Sequence, residues 1–292
     1  MTAQNILTLT DPANGNLAFK LFDFESNSYF DHLKRNNYYS LIWITSGSGI
    51  AKADFSSHKF EAGALFAFAP YQPFMIEADN LVGKCIHFHP DFFCIHKHQA
   101  EVACNGVLFN NVYEPPYISV DNKTATTLNM IIEQMKAEMQ YTAVAQYELL
   151  ISYLKIFLIT TSRLKIEQQP VITANKTVSK DPIILQNLKE CIEKNFKTKH
   201  SAGDYATVLN ISPKALAKIA KNHFNKTLTD LIAERIIIEA KRELYLTNKS
   251  VKEIAYELGY EDEYYFSRFF KTNADVSPQI YRETVGFARA MA

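Results

Sequence analysis

Residues 251–271 read VKEIAYELGYEDEYYFSRFFK. Two amphipathic helical patterns meet there across Gly259. Ser250-x-x-Glu253 opens the first as a capping box, and Asp262 stands where the second needs an N-cap. Ala255 lies midway along the first helix, where a small residue lets a second helix cross closely. Gly259 follows four residues later, where a tight turn needs φ > 0. In the second helix Phe266, Phe269 and Phe270 fall on one face. Glu263, Tyr264, Ser267, Arg268 and Lys271 are left outside.

The same pattern occurs 50 residues earlier. Ser212 corresponds to Asp262, Leu216 to Phe266, Lys218 to Arg268, Lys221 to Lys271, Asn225 to Asp275 and Thr227 to Ser277. Ala206 and Asn210 take the places of Ala255 and Gly259, the second turn being one residue longer. Outside the first copy lie Pro213, Lys214, Ala217, Lys218 and Lys221. Exposed helices that carry Lys and Arg among small residues suit a DNA major groove. The cations bind phosphates or guanine edges, and Ser and Ala permit close approach. A helical bundle with a solvated basic face explains one such pattern almost as well. Two in register favour DNA.

Around these units residues 183–292 read as helical throughout, with helices expected near 183–195, 202–209, 213–224, 228–246, 251–258, 262–272 and 278–288. Ser201-x-x-Asp204 and Thr227-x-x-Asp230 are capping boxes with the shorter acid. Ser212-Pro213 and Ser277-Pro278 each place a hydroxyl before a Pro at the first helical position.

The stretch Ser250–Arg282 resembles the DNA-binding domain of the AraC-type transcriptional regulators. The likeness is carried by Ile254-Ala255, Gly259-Tyr260, Asp262, Tyr265-Phe266-Ser267-Arg268, Phe270-Lys271 and Ser277-Pro278 with Tyr281-Arg282. With the first unit it covers about 100 residues. The chain departs from the pattern at Asp275, where Gly is usual, at Ala220, where Phe is usual, and at Asn225, again where Gly is usual. The resemblance implies two recognition helices in successive major grooves, ~34 Å apart, with the helix near 228–246 as a fixed spacer. It implies promoter DNA as the partner, and RNA polymerase as well if the chain is an activator.

The other end of the chain has a different period. Leu17–Phe24, Tyr38–Thr45, Gly49–Phe55, Leu65–Ala69, Phe74–Glu77 and Lys84–His89 are short, aromatic and β-branched, with turn chemistry between them at Ser46–Gly49, Glu61–Gly63 and Pro70–Pro73. An antiparallel barrel or jelly roll follows. Residues 121–165 return to helical spacing, with Leu128, Ile131, Ile132, Met135 and Met139, then Leu150, Tyr153, Leu154, Phe157 and Leu158, which predicts an αα-hairpin. The run 162–182, SRLKIEQQPVITANKTVSKDP, is polar, contains two Pro and has no steady period, as a linker does. The expected organisation is therefore an α+β chain: a barrel and hairpin over 1–165, a linker over 166–182 and an all-α unit over 183–292. The segments from Tyr39 to Trp43 and from Phe60 to Pro70 are similar to the cupin-like effector domains of the same regulators. That implies a small-molecule effector in the barrel and a homodimer through the helices in 121–165. Tyr39, Trp43 and Phe74 are the candidate pocket residues, although core packing explains them equally well.

Cupins also include metal enzymes, and the ligand pattern decides between the two. A cupin metal site needs two His two apart, a Glu and a later His. His58 is the only His between Gly47 and Gly63, and the late position is Phe74. No catalytic residue, metal or cofactor is expected, which disfavours a cupin enzyme fused to a DNA module. Cys85, His87 and His89 share one strand face and, with Cys94, His96, His98 and Cys104 following, could hold a metal. The simpler reading turns Ile86 and Phe88 to the core and the histidines to water.

Composition adds little. The chain has 31 basic and 31 acidic residues among 292. The segment 183–292 holds 17 basic against 14 acidic, a net of +3, and the remainder 14 against 17, a net of −3. No run approaches the ~18–20 apolar residues of a membrane span. No secretory start is evident, and the four Cys, at 85, 94, 104 and 191, show no CxxC spacing, so a cytoplasmic protein with buried thiols is expected. A helical interaction protein that binds no nucleic acid is the main alternative to a regulator.

Overall fold

The computed structural model describes residues 6–11, 15–54, 56–104, 106–168 and 181–286. The chain divides into two compact units, one comprising Met1–Asn111 and Pro115–Pro170, the other Val112–Glu114 and Val171–Ala292. From 169 to 180 the expected linker lies outside the described residues, as does the end of the last expected helix beyond 286.

In the first unit the strands are β1 (Leu7–Thr10), β2 (Leu17–Phe24), β3 (Tyr39–Ala53), β4 (Ser56–Phe60), β5 (Ala64–Phe68), β6 (Phe74–Phe88) and β7 (Tyr117–Ser119). They pair antiparallel in the order β1-β2-β6-β3-β5-β7, with β4 also on β3. The spine is β3 against β6, in register from Tyr39 opposite Phe88 to Ala53 opposite Phe74. Both strands run longer than the sequence predicts, because the Ser46–Gly49 segment is not a turn. The chain passes through it as a strand with register shifts between Ile44 and Ser46 and between Ser46 and Ser48. Gly47 adopts φ +102°, and a Cβ on Gly49 would lie 2.3 Å from the Glu77 carbonyl oxygen. The glycines mark a bulged, closely approached strand, which local composition does not distinguish from a turn.

The sheet curls. Although β6 and β3 separate β2 from β5, Phe22 and Phe24 share one buried core with Phe66 and Phe68, together with Phe30, Phe60, Phe74 and Ile76. Phe68 stacks on Phe74 with ring centroids 4.0 Å apart, and Phe24 meets Phe30 edge-on at 5.1 Å. The interior of this barrel-like sheet is filled by rings. Its outer face carries Phe19, Leu21, Tyr39, Leu41, Trp43, Ile86 and Phe88. These pack with Leu128, Ile132 and Met135 of α2 (Asn122–Glu138) and Leu150, Leu154 and Phe157 of α3 (Gln146–Gln168). A short helix, α1 (Gln99–Val102), precedes β7. Gln146 joins the hairpin by donating from its amide to the carbonyls of Glu138 (2.7 Å) and Tyr141 (2.8 Å). Burial on both faces is what makes β2, β3 and β6 apolar at successive positions: period-2 alternation sends neighbouring residues to different cores.

The second unit consists of α4 (Asp181–Asn195), α5 (Ala202–Val208), α6 (Pro213–Phe224), α7 (Leu228–Leu246), α8 (Val251–Glu257), α9 (Glu263–Ala274) and α10 (Pro278–Val285). Reciprocal capping boxes open α5 (Ser201/Asp204), α7 (Thr227/Asp230) and α8 (Ser250/Glu253). Ser212 and Ser277 cap α6 and α10 ahead of their prolines. Each cap satisfies an otherwise unpaired N–H and contributes on the order of 1 kcal/mol.

Candidate nucleic-acid interface

Local chemistry fixes the second helix of each helix–turn–helix unit, α6 and α9. Asn210 (φ +53°) and Gly259 (φ +80°) make the turns that precede them, and Asn225 (φ +56°) and Asp275 (φ +64°) end them in the left-handed conformation. The departures from the family pattern at Asn225 and Asp275 therefore keep the backbone geometry. Asn and Asp tolerate it because their short polar side chains can hydrogen-bond locally. Ala220 is buried, and Phe224, one turn on, fills the core beside it.

Each helix is anchored from one side. Leu216, Ala220 and Phe224 of α6, and Phe266, Phe270 and Ala274 of α9, are buried. Ile219 and Phe269 are only half-buried at the edge of that face, and Phe269 lies 5.4 Å from the Tyr260 ring. Opposite stand the side chains expected to face outward. Lys214, Ala217, Lys218 and Lys221 on α6, and Tyr264, Arg268 and Lys271 on α9, are exposed, and Glu263 and Ser267 are half-buried. Lys214, Lys218 and Lys221 follow one another at i, i+4 and i+7, as do Tyr264, Arg268 and Lys271. Each trio makes one stripe about 10 Å long.

Several other cations of this unit are structural by contrast. Lys226 is buried against Glu234 at 2.7 Å. Arg235 binds Glu193 and Glu239, Arg242 binds Glu239 and Glu243, and Lys249 binds Glu243 and Glu257. Burial alone would push the Glu239 carboxyl up, but Arg235 and Arg242 outweigh it and hold it below the ordinary range. Arg282, part of the family likeness, is also structural. Its guanidinium donates to the carbonyls of Leu244 (3.0 Å) and Lys249 (2.6 Å), tying α10 to the end of the spacer helix α7. That role is invisible in the sequence, where Arg282 reads as one more surface cation. Among the described residues Lys214, Lys218, Arg268 and Lys271 enter no ion pair.

The first unit corrects two expectations. Tyr39 and Trp43 do not face the barrel interior with Phe74. They lie on the outer face under the helical hairpin, and Phe74 lies in the inner core, all three buried. They do not line a common pocket. Likewise His87 and His89 do not face water: both are buried, as is Cys85. His87 sits 3.4 Å from the Cys85 sulfur, and burial pushes its imidazole down to about 3, so it is neutral. The physical reason is the curl of the sheet, which covers the second face of β6. Among the described residues no three His, Cys, Asp or Glu side chains converge as metal ligands would. A cleft of about 560 Å³ opens instead between the β3–β4 hairpin and β7, with Ser48, Ile50, Lys59, Glu61, Tyr117 and Ser119 at its walls.

Two helix–turn–helix units joined by a spacer helix, each presenting an exposed cationic stripe, define the class. Residues 205–284 match a family model described as a helix-turn-helix domain. The chain is 33% identical over 95 residues to the raffinose operon transcriptional regulatory protein RafR of Pediococcus pentosaceus, spanning 32% of this chain and 34% of that protein. It is 22% identical over 255 residues to the HTH-type transcriptional activator RhaS of Enterobacter sp. (strain 638), spanning 85% of this chain and 86% of that one. Among solved structures it resembles the C-terminal domain of AraT, a response regulator from Geobacillus stearothermophilus. The identity is 28% and the TM-score 0.36, over 37% of this chain and 90% of that domain. Residues 205–284 therefore carry a helix–turn–helix domain of the AraC type.

Proposed function

We propose that the protein is a sequence-specific, duplex-DNA-binding transcription regulator. One observation carries this reading. The residues outside α6 and α9 match at an offset of 50, and the structure leaves Lys214, Lys218 and Lys221, and Tyr264, Arg268 and Lys271, on exposed stripes. A helical interaction protein has no need of a second copy in register. RafR and RhaS, regulators by name, support the same reading.

The first unit is the effector-sensing and dimerisation part in this proposal. The cleft bounded by Lys59, Glu61 and Tyr117 has the volume of a small-molecule site, whereas among the described residues the barrel interior is packed with aromatic rings. Leu149 and Ile156, seven residues apart on one line of α3, are exposed, which suits a second copy of the chain. Promoter DNA is the partner, joined by RNA polymerase if the outcome is activation. A gel shift with fragments of the source genome tests the reading. Discrete complexes that survive non-specific competitor DNA are expected, and loss of every complex under competitor would refute sequence-specific binding.

A further inference from the structure

The two recognition helices match in position but not in charge. Residues 210–225 hold Lys214, Lys218 and Lys221 and no carboxylate, a charge of +3. The equivalent residues 260–275 hold Arg268 and Lys271 against Glu261, Asp262, Glu263 and Asp275, a charge of −2. The structure makes this difference local. Glu261 is exposed and Glu263 half-buried beside the first turn of α9, and among the described residues neither enters an ion pair.

The helix starts differ in the same direction. The first turn of α6 is capped by a neutral hydroxyl, Ser212, which accepts from the Ala215 N–H at 3.3 Å, with Pro213 behind it. That of α9 is capped by a carboxylate, Asp262, which accepts from the Tyr264 N–H at 2.7 Å. The positive end of the helix dipole therefore remains open to an outside anion at α6 and is already neutralised at α9. Phosphates along α6 meet lysines and, at its start, an uncompensated helix end. One approaching α9 meets carboxylates first.

The side chains divide along the same line. A lysine is a compact charge that any phosphate satisfies. Arg268 has a planar fork that pairs with both acceptors of guanine, Glu263 accepts only from a base amino group, and Tyr264 is 73% exposed at the head of the stripe.

On the reading of the protein as a DNA-binding regulator, we propose that the two units divide the work. The α6 lysines anchor the duplex through its phosphates, and α9, through Arg268, Tyr264 and Glu263, determines which sequence is bound. The acidic fringe of α9 is part of the device, because it makes that unit's binding conditional on the correct bases.

The test uses the full chain and duplexes selected from a random pool by the wild-type protein. Affinity is measured across a salt series, and again on duplexes carrying each single base-pair change. The variants are Lys214→Ala/Lys218→Ala/Lys221→Ala, Arg268→Ala and Arg268→Lys, with thermal melting to show that each remains folded. The triple variant should lower the log–log salt slope by about 0.9 for each phosphate it no longer neutralises, and keep the rank order of base changes. Arg268→Lys, which keeps the charge and loses the fork, should keep the slope. It should flatten discrimination about tenfold at one cluster of base pairs, and Arg268→Ala should flatten the same cluster. The proposal is overturned if the lysine variant erases base preference while both Arg268 variants keep it, or if all variants change slope and preference together. If the wild-type protein enriches no duplex at all, the DNA-binding reading itself fails, a result distinct from either.

Discussion

Gly259→Asn separates two reasons why a turn might need glycine. Gly259 has φ +80°, and its counterpart Asn210 also has a positive φ, +53°. Conformation alone would therefore accept Asn at both sites, since Asn visits the left-handed region at little cost. The difference is the neighbour. A Cβ on Gly259 would lie 2.2 Å from the Lys197 carbonyl oxygen and 3.3 Å from the His200 ring, so the backbone after α4 must move. Forcing that shift costs about 1–3 kcal/mol, as overpacking generally does. Gly259→Ala adds about 1–2 kcal/mol for the left-handed conformation. For a unit of this size 1 kcal/mol shifts Tm by about 4–8 °C, so the Asn variant should melt well below wild type and the Ala variant lower still. The assay has an internal control. The single tryptophan, Trp43, lies in the first unit, so its fluorescence follows that unit while helical circular dichroism follows the second strongly. The dichroism transition should move and the fluorescence transition stay. A Gly259→Asn variant that melts like wild type would show that the Lys197 approach does not constrain this turn.

Three further outcomes are expected. Lys226→Met removes the cation paired with buried Glu234 at 2.7 Å and should cost about 3–5 kcal/mol; adding Glu234→Gln should recover most of it, and no recovery would mean the pair is not the cause. His87 is held neutral by burial with its pKa near 3 against an ordinary 6.5. The fold therefore keeps this contribution above pH 6.5 and loses it as pH falls towards 3, by about 1.4 kcal/mol per unit; unfolding followed through Trp43 should show that slope, and His87→Leu should flatten it. The Ser250 N–H, then its hydroxyl, hold the Glu253 carboxyl below the ordinary carboxylate range. Its stabilisation is present at neutral pH and lost as pH falls through the folded value, so Glu253→Gln should make the α8 start less acid-sensitive by hydrogen exchange, and an unchanged acid profile would remove the capping box from the account.

The second unit was legible in the sequence because its determinants are local. Ser201, Thr227 and Ser250 bond to groups three residues away, and Asn225 and Asp275 end their helices through their own backbone angles, so each signal lies within one turn of its effect. Helical period then dictates that, once Leu216 and Phe266 are buried, Lys218 and Arg268 are not. The first unit was legible only as strands and a hairpin. Along β3 both alternating sets are apolar, Tyr39, Leu41 and Trp43 on one face and Ile42 and Ile44 on the other. Alternation separates the two sets but does not say which lies inside. The curl that puts residues of β2 and β5, more than 40 apart in the chain, into one core made that choice. It placed Tyr39 and Trp43 under the hairpin, buried His87, and moved the candidate effector cleft to the edge of the sheet. The sequence thus determined which side chains face outward on each recognition helix, because that depends on a few neighbouring residues. Only the tertiary structure decided which strand faces enclose a core, because that depends on how a sheet closes on itself.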